Sequence, residues 1–208
     1  DEKKRLTEEG AQNDFFFLLS QHISIIEVGA YAHIFEKFID FLGIKALIIT
    51  DLDAVDAGNT ACEVADGVSY SNAALSFFFG AATLANLRGY NLANKCFNKV
   101  AEVWQNTADG KLCVVYQIDD EGYNARSFED AYIHINKPFI AANKDKFNGL
   151  KNRPYFDIEA NGAYHLAQHC INKKTHFAMD IIYNSDAEFS NWKIPVYIKE
   201  GLLWLKKD

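Results

Sequence analysis

The stretch IKALIITDLD, Ile44 to Asp53, decides the fold. Gly43 breaks the chain from what precedes it, and the apolar run that follows predicts a parallel strand covered on both faces. Asp51 and Asp53 stand where the chain leaves that strand. In an open α/β sheet, ligands gather outside the carboxyl ends of the strands, so two acids at this exit have a reason that packing does not supply. Like charges at such spacing raise each other's pKa unless a cation neutralises them. The pair therefore asks for a hard metal such as Mg2+, bound through carboxylate oxygens and completed by water or phosphate. The plainer alternative is a pair of solvated acids capping the next element.

Working upstream, Ile23 to Gly29 (ISIIEVG) reads as a strand and His33 to Leu42 as a helix with Phe35, Phe38, Ile39 and Leu42 on one face. With the strand before Asp51 this makes a βαβ unit of about 30 residues, whose crossover should be right-handed. Residues 1–14 are polar and aperiodic, a tail or a helix start, and the apolar run Phe15 to Leu19 is too short to classify. Downstream, Asp56 to Tyr70 reads as a loop, Asn72 to Leu87 as a helix and Leu112 to Gln117 as a strand. Ser127 opens a further helix as N-cap, with Asp130 three residues on where a capping box prefers Glu or Gln. Helices are predicted over Ala160 to Cys170 and Thr175 to Ile182, and a last amphipathic one over Val196 to Leu205 after Pro195. The predicted architecture is one α/β domain, a parallel sheet flanked by helices, with a helical C-terminal portion.

At 208 residues the chain suits one domain with a sizeable core. No apolar run approaches the ~18 residues of a membrane span, so no membrane partner is expected. Four scattered cysteines without a C-x-x-C read as free thiols in a reducing, cytoplasmic setting. The chain begins at Asp1 rather than Met, which reads as a processed product or a fragment. Its net charge is -7, with 13 acids against 5 bases in residues 1–70 and 15 against 16 in the rest. A nucleic-acid grip is therefore expected from the later chain, at Lys144, Lys146, Lys151 and Arg153, or from a partner.

Other constellations each have an ordinary reading. Glu129 and Asp130, in RSFEDAYI, favour the dipole of the helix they open. Lys173 and Lys174 oppose the dipole at another helix start and so call for a compensating anion. His165 and His169 share a helix face beside Cys170, but no third ligand is spaced for zinc. The absence of G-x-x-x-x-G-K-[ST] and G-x-G-x-x-G leaves any ATP dependence to another domain. DLDAV, Asp51 to Val55, also fits the D-x-D-x-[TV] pattern of HAD-like phosphohydrolases, with Asp51 as nucleophile and Asp53 as acid/base. That motif belongs on a first strand, whereas a βα unit is predicted ahead of it here.

Several ordered segments together resemble one family. They are Ile23 to Asp53, YSNAAL at Tyr70 to Leu75, NARSFEDAYIHIN at Asn124 to Asn136, KKTHFAMDIIY at Lys173 to Tyr183, and WKIPVYIKEGLLWL at Trp192 to Leu205. This pattern resembles the C-terminal TOPRIM region of OLD-family nucleases, nearest the Gabija-type antiphage class, and covers the chain from about residue 20. The resemblance implies residues 21–208 as a TOPRIM nuclease domain with a helical extension, and residues 1–20 as a tail or the truncated start of TOPRIM. It implies a Mg2+- or Mn2+-dependent DNA endonuclease or nickase, partnered by an ABC-type ATPase domain or subunit and assembled as a homo-oligomer. Asp51 and Asp53 match the family's acid pair, Glu129 or Asp130 its helical carboxylate with Asp130 favoured, and Lys174 its lysine with Lys173 as fallback. Two metals would sit about 3.5 to 4 Å apart, bridged or held by Asp51, with Asp53 and Asp130 completing their shells. The family's opening Glu-Gly has one counterpart, Glu9-Gly10, without an apolar strand before it, so a non-catalytic TOPRIM module that docks an ATPase or sister subunit is the rival reading.

Overall fold

A continuous apolar run, Leu112 to Val115, buried throughout, builds the centre of the fold. The computed structural model describes residues 22–206. Its strands are β1 (Ala46–Ile49), the short pair β2 (Ala54–Val55) and β3 (Ser69–Tyr70), then β4 (Cys96–Val100), β5 (Val103–Asn106), β6 (Leu112–Val115), and the short pair β7 (Asp119–Asp120) and β8 (Tyr123–Asn124). The main sheet runs in the order β1-β6-β4-β5. β1 lies parallel to β6, Ala46 opposite Leu112 and Ile49 opposite Val115, while β4 is antiparallel to both β6 and β5.

Every side chain of β6 is buried because both faces of the sheet are covered. The helices are α1 (Glu36–Leu42), α2 (Ala73–Phe79), α3 (Leu84–Gly89), α4 (Phe128–Asn143), α5 (Ala163–Cys170), α6 (Lys174–Tyr183) and α7 (Val196–Leu205). Leu112, Val114 and Tyr116 point to one face, against Leu75 and Phe78 of α2 and Leu84 and Leu87 of α3. Cys113 and Val115 point to the other, where Tyr197 and Trp204 of α7 and Ala131 of α4 close over them. Gly201 permits that closure: a Cβ there would stand 3.0 Å from both Leu47 and Val115. A separate core joins α4, α5 and α6 through Tyr132, Ile133, Phe147, Leu166 and Phe177. This is the expected mixed α/β fold, a sheet with a parallel pair flanked by helices and a helical C-terminal part.

Four expectations need correction. Ile23 to Val28 form no strand, and Ile23, Ile25 and Ile26 are exposed at 39%, 93% and 56%. Ile23 to Val28 leave the free edge of β1 unpaired, and β1's described neighbour is β6 alone, so the predicted βαβ unit does not form. Among the described residues β1 is an edge strand, with Ile49 44% exposed rather than covered on both sides. The helix expected from His33 is a 3-10 stretch, Gly29–Phe35, that passes into α1. Asn72 to Leu87 is two helices, because Gly80 turns at φ +59 and Thr83 opens α3 with a capping box.

Candidate functional site

Asp51 leaves the end of β1 and is held there from two directions. Its Oδ1 accepts from Gln117 Nε2 at 2.7 Å and from the backbone N of Phe128, the first residue of α4, at 2.9 Å. Gln117 follows β6 and is itself buried. Its Oε1 accepts from Leu52 N at 2.6 Å, and its Nε2 also donates to the Tyr197 hydroxyl at 3.1 Å. Leu52 is fully buried, so the exit alternates acid, apolar, acid, and Asp53 is turned outward in a left-handed conformation, φ 53.

Asn72 knits this exit to α2. Its Oδ1 caps the helix at Ala74 N and Leu75 N, while its Nδ2 donates to Asp51 O at 2.8 Å and Asp53 Oδ2 at 3.3 Å. Asp53 meets Arg126 twice: its N donates to Arg126 O at 3.1 Å, and its Oδ1 lies 3.2 Å from Arg126 Nη2. Arg126 Nε donates to Ala54 O at 3.0 Å.

The start of α4 sends its two acids in different directions. Ser127 Oγ caps the helix, accepting from Asp130 N. Asp130 is buried, its Oδ2 accepting from Arg126 N at 2.8 Å and its Oδ1 from the Tyr123 hydroxyl at 2.8 Å. Glu129 follows Phe128, whose N–H binds Asp51, and its charge is among those that raise the Asp51 carboxyl. Its Oε2 accepts from Lys174 Nζ at 3.0 Å, which supplies the anion that a lysine at the start of α6 calls for. Thus Asp51, Asp53, Glu129 and Lys174 converge, whereas the favoured Asp130 has both carboxylate oxygens committed inside the fold. The choice between neighbours depends on which faces the exit, something helix phase alone does not reveal. Lys173 stands exposed ahead of α6, and Glu9 lies outside the described residues.

Burial pushes the Asp51 carboxyl up to about 6. Repulsion from Asp53 and Glu129 adds to that rise, while the Gln117 hydrogen bond and Lys174 oppose it. Asp130 is also pushed up to about 6 by burial, against the opposing hydrogen bonds of Arg126 N and Tyr123. A raised carboxyl beside two further acids can be relieved by a cation, and carboxylate oxygens suit a hard one. Among the described residues no three His, Cys, Asp or Glu side chains group closely enough to hold a metal. A cation here would rest on Asp51 and Glu129, each with one oxygen not engaged in a described hydrogen bond, and take the rest of its shell from water or phosphate.

Other expected contacts are placed elsewhere. Lys144 pairs with Asp157, and Arg153 donates to Phe147 O at 2.8 Å, so the fold itself uses two of the four residues expected to grip nucleic acid. His165 and His169 stack 4.4 Å apart without a third metal donor among the described residues. The four cysteines are free. With Ile23 to Gly29 not a strand, the positional objection to a HAD-like reading falls away. Asp53 still argues against it: the residue that would pass a proton to a leaving group is tied to a guanidinium and an amide. Gln117, Asn72 and Arg126 were missed as site residues, since an amide after a strand, a cap and a lone arginine carry no motif.

In an open α/β sheet ligands gather outside the carboxyl ends of the strands, and here that end carries Asp51 and Asp53. The chain is 27% identical over 198 residues to Endonuclease GajA of Bacillus cereus (strain HuB5-5), a match covering 89% of this chain. It spans 27% of that relative's length. No family model and no solved structure matches the chain. Among the described residues no helix is long and apolar enough to cross a membrane.

Proposed function

We propose that this chain is the TOPRIM nuclease module of a Gabija-type OLD-family antiphage protein, hydrolysing DNA phosphodiesters with Mg2+ or Mn2+. The observation that carries the reading is the hydrogen bond from the start of α4 to Asp51, beside which Glu129 pairs with Lys174 of α6, in a chain similar to an endonuclease. Bound divalent cation would supply Lewis-acid activation of the phosphate and a nucleophilic water. The chain's own residues do the rest. Asp51 and Glu129 would hold the cation; Gln117 and the Phe128 N–H aim Asp51; Arg126 and Asn72 brace Asp53. Lys174 lies against Glu129 at rest and offsets charge growing on the phosphate oxygens in the transition state. A second cation, as in a two-metal centre, would draw on Asp53 and on Glu9.

The ATPase partner and homo-oligomeric assembly belong to the same reading, and the relative's greater length leaves room for further domains. Plasmid nicking with Mn2+ tests it. Asp51→Ala and Glu129→Gln should each abolish nicking, while Lys174→Met should lower it by a factor of roughly 100 to 1,000. Equal nicking by wild type and Asp51→Ala would end the assignment. Failure of the wild type to bind Mn2+ in isothermal titration would favour the docking module instead.

A further inference from the structure

Beside the acids lies a groove of about 250 Å3 between the start of α4 and the junction of α5 with α6. We propose that this groove seats a backbone phosphate of the nucleic acid next to the one being cleaved, held by the amides of Gln168 and Asn172 and by the Arg126 guanidinium. The proposal rests on the nuclease reading and adds Gln168 and Asn172, which neither the sequence motifs nor the acid cluster single out, and a second role for Arg126.

Space, polarity and rigidity all bear on it. The volume is several times the ~30 Å3 that one water occupies, room for a partly hydrated phosphate. Glu129 and Lys174 line the groove, so it borders the candidate centre. Gln168 and Asn172 are exposed, and their amides make no described hydrogen bond within the chain. They nevertheless stand on fixed backbone: Asn172 N donates to Gly149 O at 2.8 Å, and Ile171 bridges to Leu150. Such positioned, unused N–H donors suit phosphate oxygens, which take most contacts that orient a protein on nucleic acid.

Charge explains when the groove would fill. Arg126 is paired with Asp53 and Lys174 with Glu129, so neither cation is free to attract an anion while the acids remain unneutralised. A divalent cation on Asp51 and Glu129 would release Lys174, while Arg126 keeps Asp53 and turns its remaining guanidinium N–H groups to the groove. Binding is therefore expected to require divalent cation even where no cleavage occurs.

The test uses the full chain and a short labelled single-stranded oligonucleotide, followed by fluorescence anisotropy in Ca2+ and in EDTA. Wild type should bind in Ca2+ and far more weakly in EDTA. The exposed double substitution Gln168→Ala/Asn172→Ala should weaken binding in Ca2+ by roughly 10-fold or more. In the nicking assay it should raise KM and leave kcat nearly unchanged, which a general loss of structure would not do. Arg126→Gln should lower the slope of log affinity against log salt by about 0.7. If the double variant binds and nicks as wild type does, the subsite is wrong and the nuclease reading stands. If wild type neither binds the oligonucleotide nor nicks DNA, both fail together.

Discussion

Gln117 Nε2 donates to Asp51 Oδ1 at 2.7 Å, while the same side chain accepts from Leu52 N at 2.6 Å. One buried amide thus fixes both the acid and the backbone turn that presents it. Replacing it by an apolar isostere strands a buried N–H and frees the carboxylate to rotate. Gln117→Leu should cost about 1 to 3 kcal/mol of stability. It should also weaken Mn2+ binding by roughly 10- to 100-fold, as loss of an orienting partner does at metal sites. Urea denaturation and isothermal titration read the two effects, and unchanged Mn2+ affinity would rule out an orienting role.

The neighbours Glu129 and Asp130 should separate cleanly. Glu129→Gln removes a carboxylate facing the exit and should leave the fold intact while eliminating Mn2+-dependent nicking. Asp130→Asn replaces with an NH2 one of the two buried oxygens that accept from Arg126 N and the Tyr123 hydroxyl, and should cost stability, about 1 to 3 kcal/mol, through imperfect pairing. Thermal melts beside nicking rates decide the matter. A stable, inactive Asp130→Asn would reverse the assignment.

Asp51 makes stability depend on pH in a stated direction. Its carboxyl is raised from 3.8 to about 6, so between these values the folded state holds a proton that the unfolded state has lost. The folded state is thus most favoured by this group below about pH 4, loses stability as pH rises to 6, and stays lower above. Without metal, Asp51→Asn should therefore raise stability at pH 7.5 by ~1 to 2 kcal/mol, the full shift being discounted because the group is partly exposed. At pH 4 the two proteins should melt alike. Added Mn2+ should raise the melting temperature of wild type and leave that of Asp51→Asn where it is. A wild type that melts higher than the variant in EDTA at pH 7.5 would contradict this account.

These residues also show which parts of the fold were legible. β6 and α7 follow from local pattern, a short apolar run and an amphipathic repeat, and the structure forms both near the expected bounds. Ile23 to Val28 has the composition of a strand, but pairing depends on a neighbour that no local pattern encodes. The hairpin of β4 and β5 left no sign because its turn is Ala101-Glu102, both with positive φ, where Asn-Gly would have announced it. At the site, Asp51, Asp53 and Lys174 stand at element ends and are visible by that position. Gln117 and Arg126 matter only through what lies across from them in space.

Gly149 ties the lysine end of the site to the fold. Its N donates to Asp180 Oδ2 at 2.6 Å, and its O accepts from Asn172 N, so it is clasped between the lead into α6 and that helix's middle. A Cβ at this position would stand 2.4 Å from Phe177 N and 2.8 Å from Phe177 Cα. Backbone atoms cannot swing aside as a side chain can, so the first turn of α6 must shift, and Lys174 with it. Gly149→Ala should lower stability by about 1 to 3 kcal/mol, as overpacking does. At a temperature where the variant remains folded, its nicking rate should fall further than that of Gly89→Ala, an open position where an added Cβ meets nothing within 4 Å. If Gly149→Ala melts and nicks as wild type does, Lys174 does not depend on this clasp for its place opposite Glu129.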